Sequence, residues 1–213
     1  MSGWGFAFSR RWFGYLALVI VFAFLCTLLS MWQLARREEA RTEIDRVELN
    51  WDAAPRELSQ VLPSLDEFDE DDTWTPVVIT GRYLVEEQVL VRGRPFNGLP
   101  GFEQLVPLQL ADGRVFIIDR GWLQVGNAQD TPDVVPLPPS GEVTVIARLK
   151  PGEPIVPGRS APEGQLATIH LPQLDEQLGL PTYTGAYGLL DSEDPASAAL
   201  PAAAVRPVAD ECP

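Results

Sequence analysis

The sequence predicts one membrane-spanning α-helix at the N-terminus, followed by a single mainly antiparallel β domain with minor helix, an α+β arrangement. Three observations predict it. A run of 21 residues from Trp12 to Trp32 carries no charge. Beyond Pro76 the chain breaks into short segments rich in β-branched residues, separated by turn residues. The stretches between those segments are rich in Pro and Gly, and no internal repeat is visible.

The elements follow in order. Residues 1–11 are a tail, and 12–34 the membrane span. At about 1.5 Å per residue the charge-free run covers roughly 30 Å, the thickness of a bilayer core. Leu, Val, Ile and Phe fill it on all sides, which excludes an amphipathic surface helix. Trp4, Phe6, Phe8, Trp12, Phe13 and Tyr15 crowd one end and Trp32 marks the other, as interfacial aromatics do. A cleaved signal peptide is the rival reading. The apolar run is long for one, and no small-x-small site follows it. Residues 35–50 extend the helix. They hold no Gly or Pro, and Glu38, Glu39 and Glu43 interleave with Arg37, Arg41 and Arg46 at helical ion-pair spacing.

Residues 51–213 form the β domain. A short helix and an acidic loop occupy 55–75. The loop, Asp66 to Asp72, reads first as a solvated surface and only second as a cation site. Strands are predicted at 77–84 and 88–92, then at 102–110 and 114–122 around the Asp112-Gly113 turn. Val115-Phe116-Ile117-Ile118 is continuously apolar, so that strand is buried on both faces. A fifth strand covers 142–150. Short strands are expected at 166–170 and 186–190, with one or two helical turns at 171–178 between them. A last strand at 202–208 closes the sheet. The stretches 129–141 and 151–164 read as ordered loops.

Charge and composition exclude several functions. Beyond residue 50 there are 25 acidic and 10 basic residues, which repels nucleic acid. The two cysteines, Cys26 and Cys212, form no CxxC pair, so thioredoxin-like redox chemistry and covalent haem attachment are out. One histidine, His170, cannot build a His-rich metal site. No catalytic constellation is visible, and Gly93, Gly98 and Gly101 lack the spacing of a nucleotide loop.

Several motifs occur in a telling order. Met31-Trp32-Gln33-Leu34-Ala35-Arg36-Arg37 leaves the apolar helix. Gln88 to Gly101 reads as a strand, an Arg-rich turn and a Gly-rich loop. Val106-Pro107-Leu108, Asp112-Gly113-Arg114 and Ile118-Asp119-Arg120-Gly121-Trp122-Leu123 follow. This series resembles the Surfeit locus protein 1 family across most of residues 12–190. The resemblance implies a non-enzymatic assembly factor of cytochrome c oxidase of the aa3 type, which assists haem a insertion or stabilises subunit I. Its implied partners are oxidase subunit I, neighbouring respiratory-complex subunits and the lipid bilayer. It implies a cytoplasmic N-terminus and an extracytoplasmic domain; arginine outnumbers lysine fifteen to one, the composition of a GC-rich bacterium, so the membrane expected is a bacterial plasma membrane. Arg10 and Arg11 before the span and Arg36, Arg37, Arg41 and Arg46 after it leave that orientation undecided by charge alone. Such proteins carry a second membrane helix with a histidine after the domain. These 213 residues hold no second apolar run, so haem a contact by this chain is expected to be transient at most. Asp119 stands where asparagine is more usual in the resemblance. A permanent accessory subunit of an oxidase supercomplex is the alternative, and a signal-anchored periplasmic enzyme the remote one.

Six residues stand out as site candidates. Gln33, Arg92 and Arg94 are candidates for cofactor contact, and Trp32, Arg120 and Trp122 for partner contact. Arg92 and Arg94 have the guanidinium fork that holds carboxylates, including haem propionates. Their plainer role is pairing with Asp119 or the acidic surface. Gly121 permits a bulge or a close backbone approach, with Trp122 over the core. Trp32 and Gln33 sit at the membrane exit, where interfacial anchoring is the plainer role. His170 as an axial haem ligand lacks a second ligand beside it.

Overall fold

The computed structural model describes residues 10–127, 130–203 and 205–207. Most of the expected tail, Gln129, part of the expected strand at 202–208 and Cys212 lie outside these residues.

The chain divides into a helical unit running to Asp45 and a compact unit from Arg46 to Val208. One helix, α1 (Arg10–Asn50), supplies all of the described helical unit and the first turn of the compact one. Its side chains are exposed without a break from residue 10 to residue 39, Leu and Phe included. Such a helix is long and apolar enough to cross a bilayer, a property shared by membrane anchors and signal sequences. Thr27, inside the charge-free run, bonds back to the carbonyl of Ala23 and so leaves no unmet donor there, and Thr42 in the charged extension does the same to Glu38.

The compact unit is a mixed β-barrel, mostly antiparallel. Its strands are β1 (Arg56–Glu57), β2 (Pro76–Tyr83), β3 (Val89–Arg92), β4 (Gly101–Leu110), β5 (Val115–Gln124), β6 (Glu142–Pro151), β7 (Gln165–Leu166) and β8 (Ala186–Asp194). Two short helices join them, α2 (Leu58–Val61) and α3 (Leu171–Leu178). β2, β6, β8, β5 and β4 pair in that order, and β4 pairs back onto β2 to close the circuit. Only β5 and β8 run parallel within this circuit. β3 and β7 extend the sheet beyond β4, and β1 flanks β2.

Period-two alternation splits the apolar residues between two cores. Val77, Ile79, Val106, Leu108, Phe116, Ile118, Val143 and Val145 fill the barrel with Tyr183 and Leu62. Val115, Ile117, Leu105 and Leu189 face outward instead, under α3 and beside Trp51 and Trp74. This explains the unbroken apolar run at 115–118: both of its faces are covered. α3 lays Leu171 and Leu174 on that outer face and stops at Gly179, whose φ of +60° suits glycine.

Two expected strands are shorter than anticipated. Of the stretch 166–170 only Leu166 pairs, together with Gln165 before it, because Ile169 and His170 turn to start α3. At 202–208 the described residues make a single bridge, Ala202 to Trp122. β8 makes up the difference by running on to Asp194, four residues past the anticipated end.

Barrel closure depends on Gly81. A Cβ there would lie 2.5 Å from the Gln109 carbonyl oxygen on β4. Gly81→Ala must therefore push β2 off β4. The expected cost is about 1–3 kcal/mol of unfolding free energy, measured by denaturant titration of the purified chain. An unchanged midpoint would show that β2 and β4 do not close the barrel there.

Candidate functional site

In Asp119-Arg120-Gly121-Trp122 the aspartate and tryptophan share the outer face and the arginine turns inward, with a bulge between them. Leu105 pairs with Asp119 but Glu103 with Trp122, so β5 has one residue more than β4 between those pairs. Gly121 takes φ of +125°, and a Cβ on it would sit 2.4 Å from the Ala202 carbonyl oxygen. The position accepts only glycine without strain.

Arg120 shares the inward parity of Phe116 and Ile118 and fills the barrel mouth, 1% exposed. It donates to Glu193 Oε1 at 2.9 Å, Ser197 Oγ at 2.7 Å and the Pro136 carbonyl at 3.1 Å, with a longer contact of 3.3 Å to Gln104 Oε1. Tyr83 donates to the other oxygen of Glu193 at 2.9 Å, and Ser197 also donates to Glu193. Burial, then the Glu193 charge, drive the Tyr83 phenol far above its usual range, so it stays a donor. Glu193 points inward because of a second bulge: Leu190 pairs with Ala147 but Ser192 with Ile146, which skips Asp191. An ion pair this dry holds only because further hydrogen bonds complete both partners.

Asp119 points the other way, toward the outer face, 3% exposed. Its Oδ1 accepts the Gly121 N–H at 2.9 Å. Around it stand Glu103, Arg94, Glu153, Lys150 and Tyr187. Arg94 pairs with Glu103 at 2.9 Å and Glu153 at 2.6 Å. Burial pushes the Asp119 carboxyl up to about 8, with the Glu103 charge adding to it. Burial also raises Glu103. At Glu153 burial is outweighed by hydrogen bonds from Arg94 and the Ile169 N–H, which hold it below the usual carboxylate range. Lys150, the chain's single lysine, lies over the Trp74 ring at 5.4 Å.

Trp122 does not cover the barrel core. The bulge places it on the same side as Glu103, where its indole N–H donates to the Arg94 carbonyl at 2.8 Å and its ring meets Phe96 at 5.4 Å. Gly101 lies beneath it, with no room for a Cβ. The loops carrying exposed Leu99, Leu137 and Leu200 converge on this end of the barrel. Leu99 pairs with Phe96, the Pro136 carbonyl meets Arg120, and Ala202 pairs with Trp122.

The remaining candidates fall elsewhere. Arg92 is exposed at the end of β3 and lines an open hollow of about 380 Å³ with Pro95, Pro100, Phe102 and Val125. Trp32 and Gln33 are exposed on α1. His170 precedes α3 with Nδ1 3.1 Å from the Glu153 carbonyl, beside a cleft of about 430 Å³ that also holds Asp66 and Glu70. Among the described residues no group of three or more His, Cys, Asp or Glu side chains is arranged to hold a metal ion.

Sequence reasoning missed Glu193, Tyr83, Gln104 and Ser197. One signal could have found them: Arg120 continues the inward parity of Phe116 and Ile118, and a buried arginine demands a buried carboxylate. Arg120→Met should strand Glu193 and cost about 3–5 kcal/mol. Arg120→Met with Glu193→Met should cost less than Arg120→Met alone. Urea unfolding of the three chains measures both, and equal losses would deny the ion pair its role.

The protein comparisons agree with the motif order. The SURF1 family profile matches residues 20–211. Uncharacterized SURF1-like proteins of Mycobacterium bovis and Mycobacterium tuberculosis are 34% identical to the chain over 155 residues, which is 72% of this chain and 57% of theirs. A SURF1-like protein of Rickettsia felis is 25% identical over 114 residues, 53% of this chain and 47% of that protein. The chain thus aligns with little more than half the length of the mycobacterial relatives. With the Arg-Gly-Trp bulge, the Arg94 loop and the apolar helix on one chain, and a profile match over nearly its whole length, this protein belongs to the SURF1 family.

Proposed function

We propose that this protein is a non-enzymatic assembly factor of an aa3-type cytochrome c oxidase. On this reading α1 anchors it in the bacterial plasma membrane, N-terminus inside, and the barrel stands on the extracytoplasmic side. Its client is oxidase subunit I, which it stabilises or holds open while haem a enters. The observation that carries the reading is family membership over residues 20–211, since SURF1 proteins are known as oxidase assembly factors. The charge-free helix supports it, because the client lies in the membrane.

Haem a is cargo on this reading. Arg92 is the better placed of the two candidate arginines to meet a propionate, because Arg94 is already held by two glutamates. Client contact belongs to the Trp122 end of the barrel, where exposed leucines gather, and Arg120 serves it from inside by fixing the bulge. Trp32 and Gln33 are available to a neighbouring helix or to lipid headgroups. A permanent subunit would copurify stoichiometrically with mature, active oxidase, whereas an assembly factor associates with immature forms.

Deleting the gene in its host should lower aa3 oxidase activity and haem a absorbance several-fold and leave other respiratory cytochromes in place. Full-length chain should restore both. Chain with α1 residues 12–34 replaced by a cleavable signal should not, and Trp122→Ala with Arg92→Glu should restore them only in part. Unchanged oxidase in the deletion strain would end this reading.

A further inference from the structure

We propose that Asp119 is the proton-operated catch of a latch: protonated, it lets the Arg94 loop and the segment after β8 close around Trp122; ionised, it loosens them.

The groups facing Asp119 come from every element packed against it. β4 contributes Glu103, the β3–β4 loop Arg94, β6 Lys150, the segment after β6 Glu153, and β8 Tyr187. Its own strand offers only the Gly121 N–H, because Arg120 turns to the opposite face. Three carboxyl groups thus share two cations. Arg94 is taken by Glu103 and Glu153, and among the described residues no ion pair reaches Asp119. The set is neutral only when one carboxyl keeps a proton. Asp119 is the one that does: Glu103 and Glu153 each pair with Arg94 and it has no such partner, and burial, then the neighbouring Glu103, raise it to about 8. Glu153 is held ionised by its two donors. Tyr187 cannot relieve the excess, because burial and the Asp119 charge hold its phenol well above the usual range.

Removing that proton leaves an unpaired carboxylate in a dry site beside Glu103, and such a charge calls for water. The loop structure next along β5 is what Trp122 holds: the Arg94 loop, through one indole bond to the Arg94 carbonyl and the Phe96 ring, and Ala202, through a two-bond bridge. Both partners are loop residues, the class of segment that opens locally at low cost. The strands behind Asp119 belong to the barrel ladders, the class of structure that costs most to open.

The direction with pH follows from the raised value. An unfolded chain ionises this residue near its ordinary value of about 4, while the folded chain keeps the proton to about 8. Stability from this group is therefore greatest at acid pH, declines as pH rises between those values, and is fully lost above the upper one.

Hydrogen exchange of the full chain in detergent tests the latch, with rates corrected for intrinsic pH dependence. Amides of 93–101 and 121–124 should lose protection roughly tenfold or more as pH rises, with a midpoint near 8. Asp119→Asn, the same shape without a charge, should stay protected throughout. Glu103→Gln should move the midpoint down, since it removes the repelling neighbour. Flat protection in the native chain, an equal loss in Asp119→Asn, or an unmoved midpoint in Glu103→Gln would each overturn the proposal.

Discussion

Arg120 and Glu193 meet inside the mouth of the barrel with both side chains buried, and the architecture of that end is arranged so that they can. Arg120 keeps the inward parity of Phe116 and Ile118, and a bulge in β8 turns Glu193 in to meet it. Tyr83, Ser197, Gln104 and the Pro136 carbonyl complete their hydrogen bonds. Five separated parts of the chain thereby converge on one guanidinium–carboxylate contact. A dry ion pair adds little net stability when complete and costs heavily when broken. Its value is register: slip β5 by one residue and a charge faces the apolar core.

The same motif separates two electrostatic environments across one sheet. Arg120 looks inward to a balanced pair, and Asp119 looks outward to a set with a carboxyl in excess. Asparagine at position 119, more usual in the family resemblance, would fit the outward site without a charge. A protonated aspartic acid has nearly the same shape, so the bulge geometry needs no change to hold it.

Much of this was legible in the sequence. The charge-free run gave α1, the Asp112-Gly113 turn gave the β4–β5 hairpin, and the continuous apolar residues 115–118 gave a strand covered on both faces. Gly121 pointed to a bulge or close approach, and both are present. Barrel closure was not legible, because Gly81 in a strand announces no partner and β4 is shared between β2 and β3. Nor was the reach of β8 to Asp194. Its last residues, Asp191-Ser192-Glu193-Asp194, are all polar or charged and carry no strand signal, and only the bulge at Asp191 brings Glu193 inside. Trp122 was expected over the core. One extra residue in β5 turned it onto the Arg94 loop instead.

The place of β8 has a consequence for biogenesis. It lies between β6 and β5, yet among the described strands it is the last in chain order. A nascent chain complete through α3 has two long strands, β5 and β6, each with an unpaired edge. Such edges recruit other chains, and pairings this distant in sequence form slowly. Premature termination before Ala186 would therefore yield a sticky open sheet for quality-control proteases to clear, not a smaller working domain.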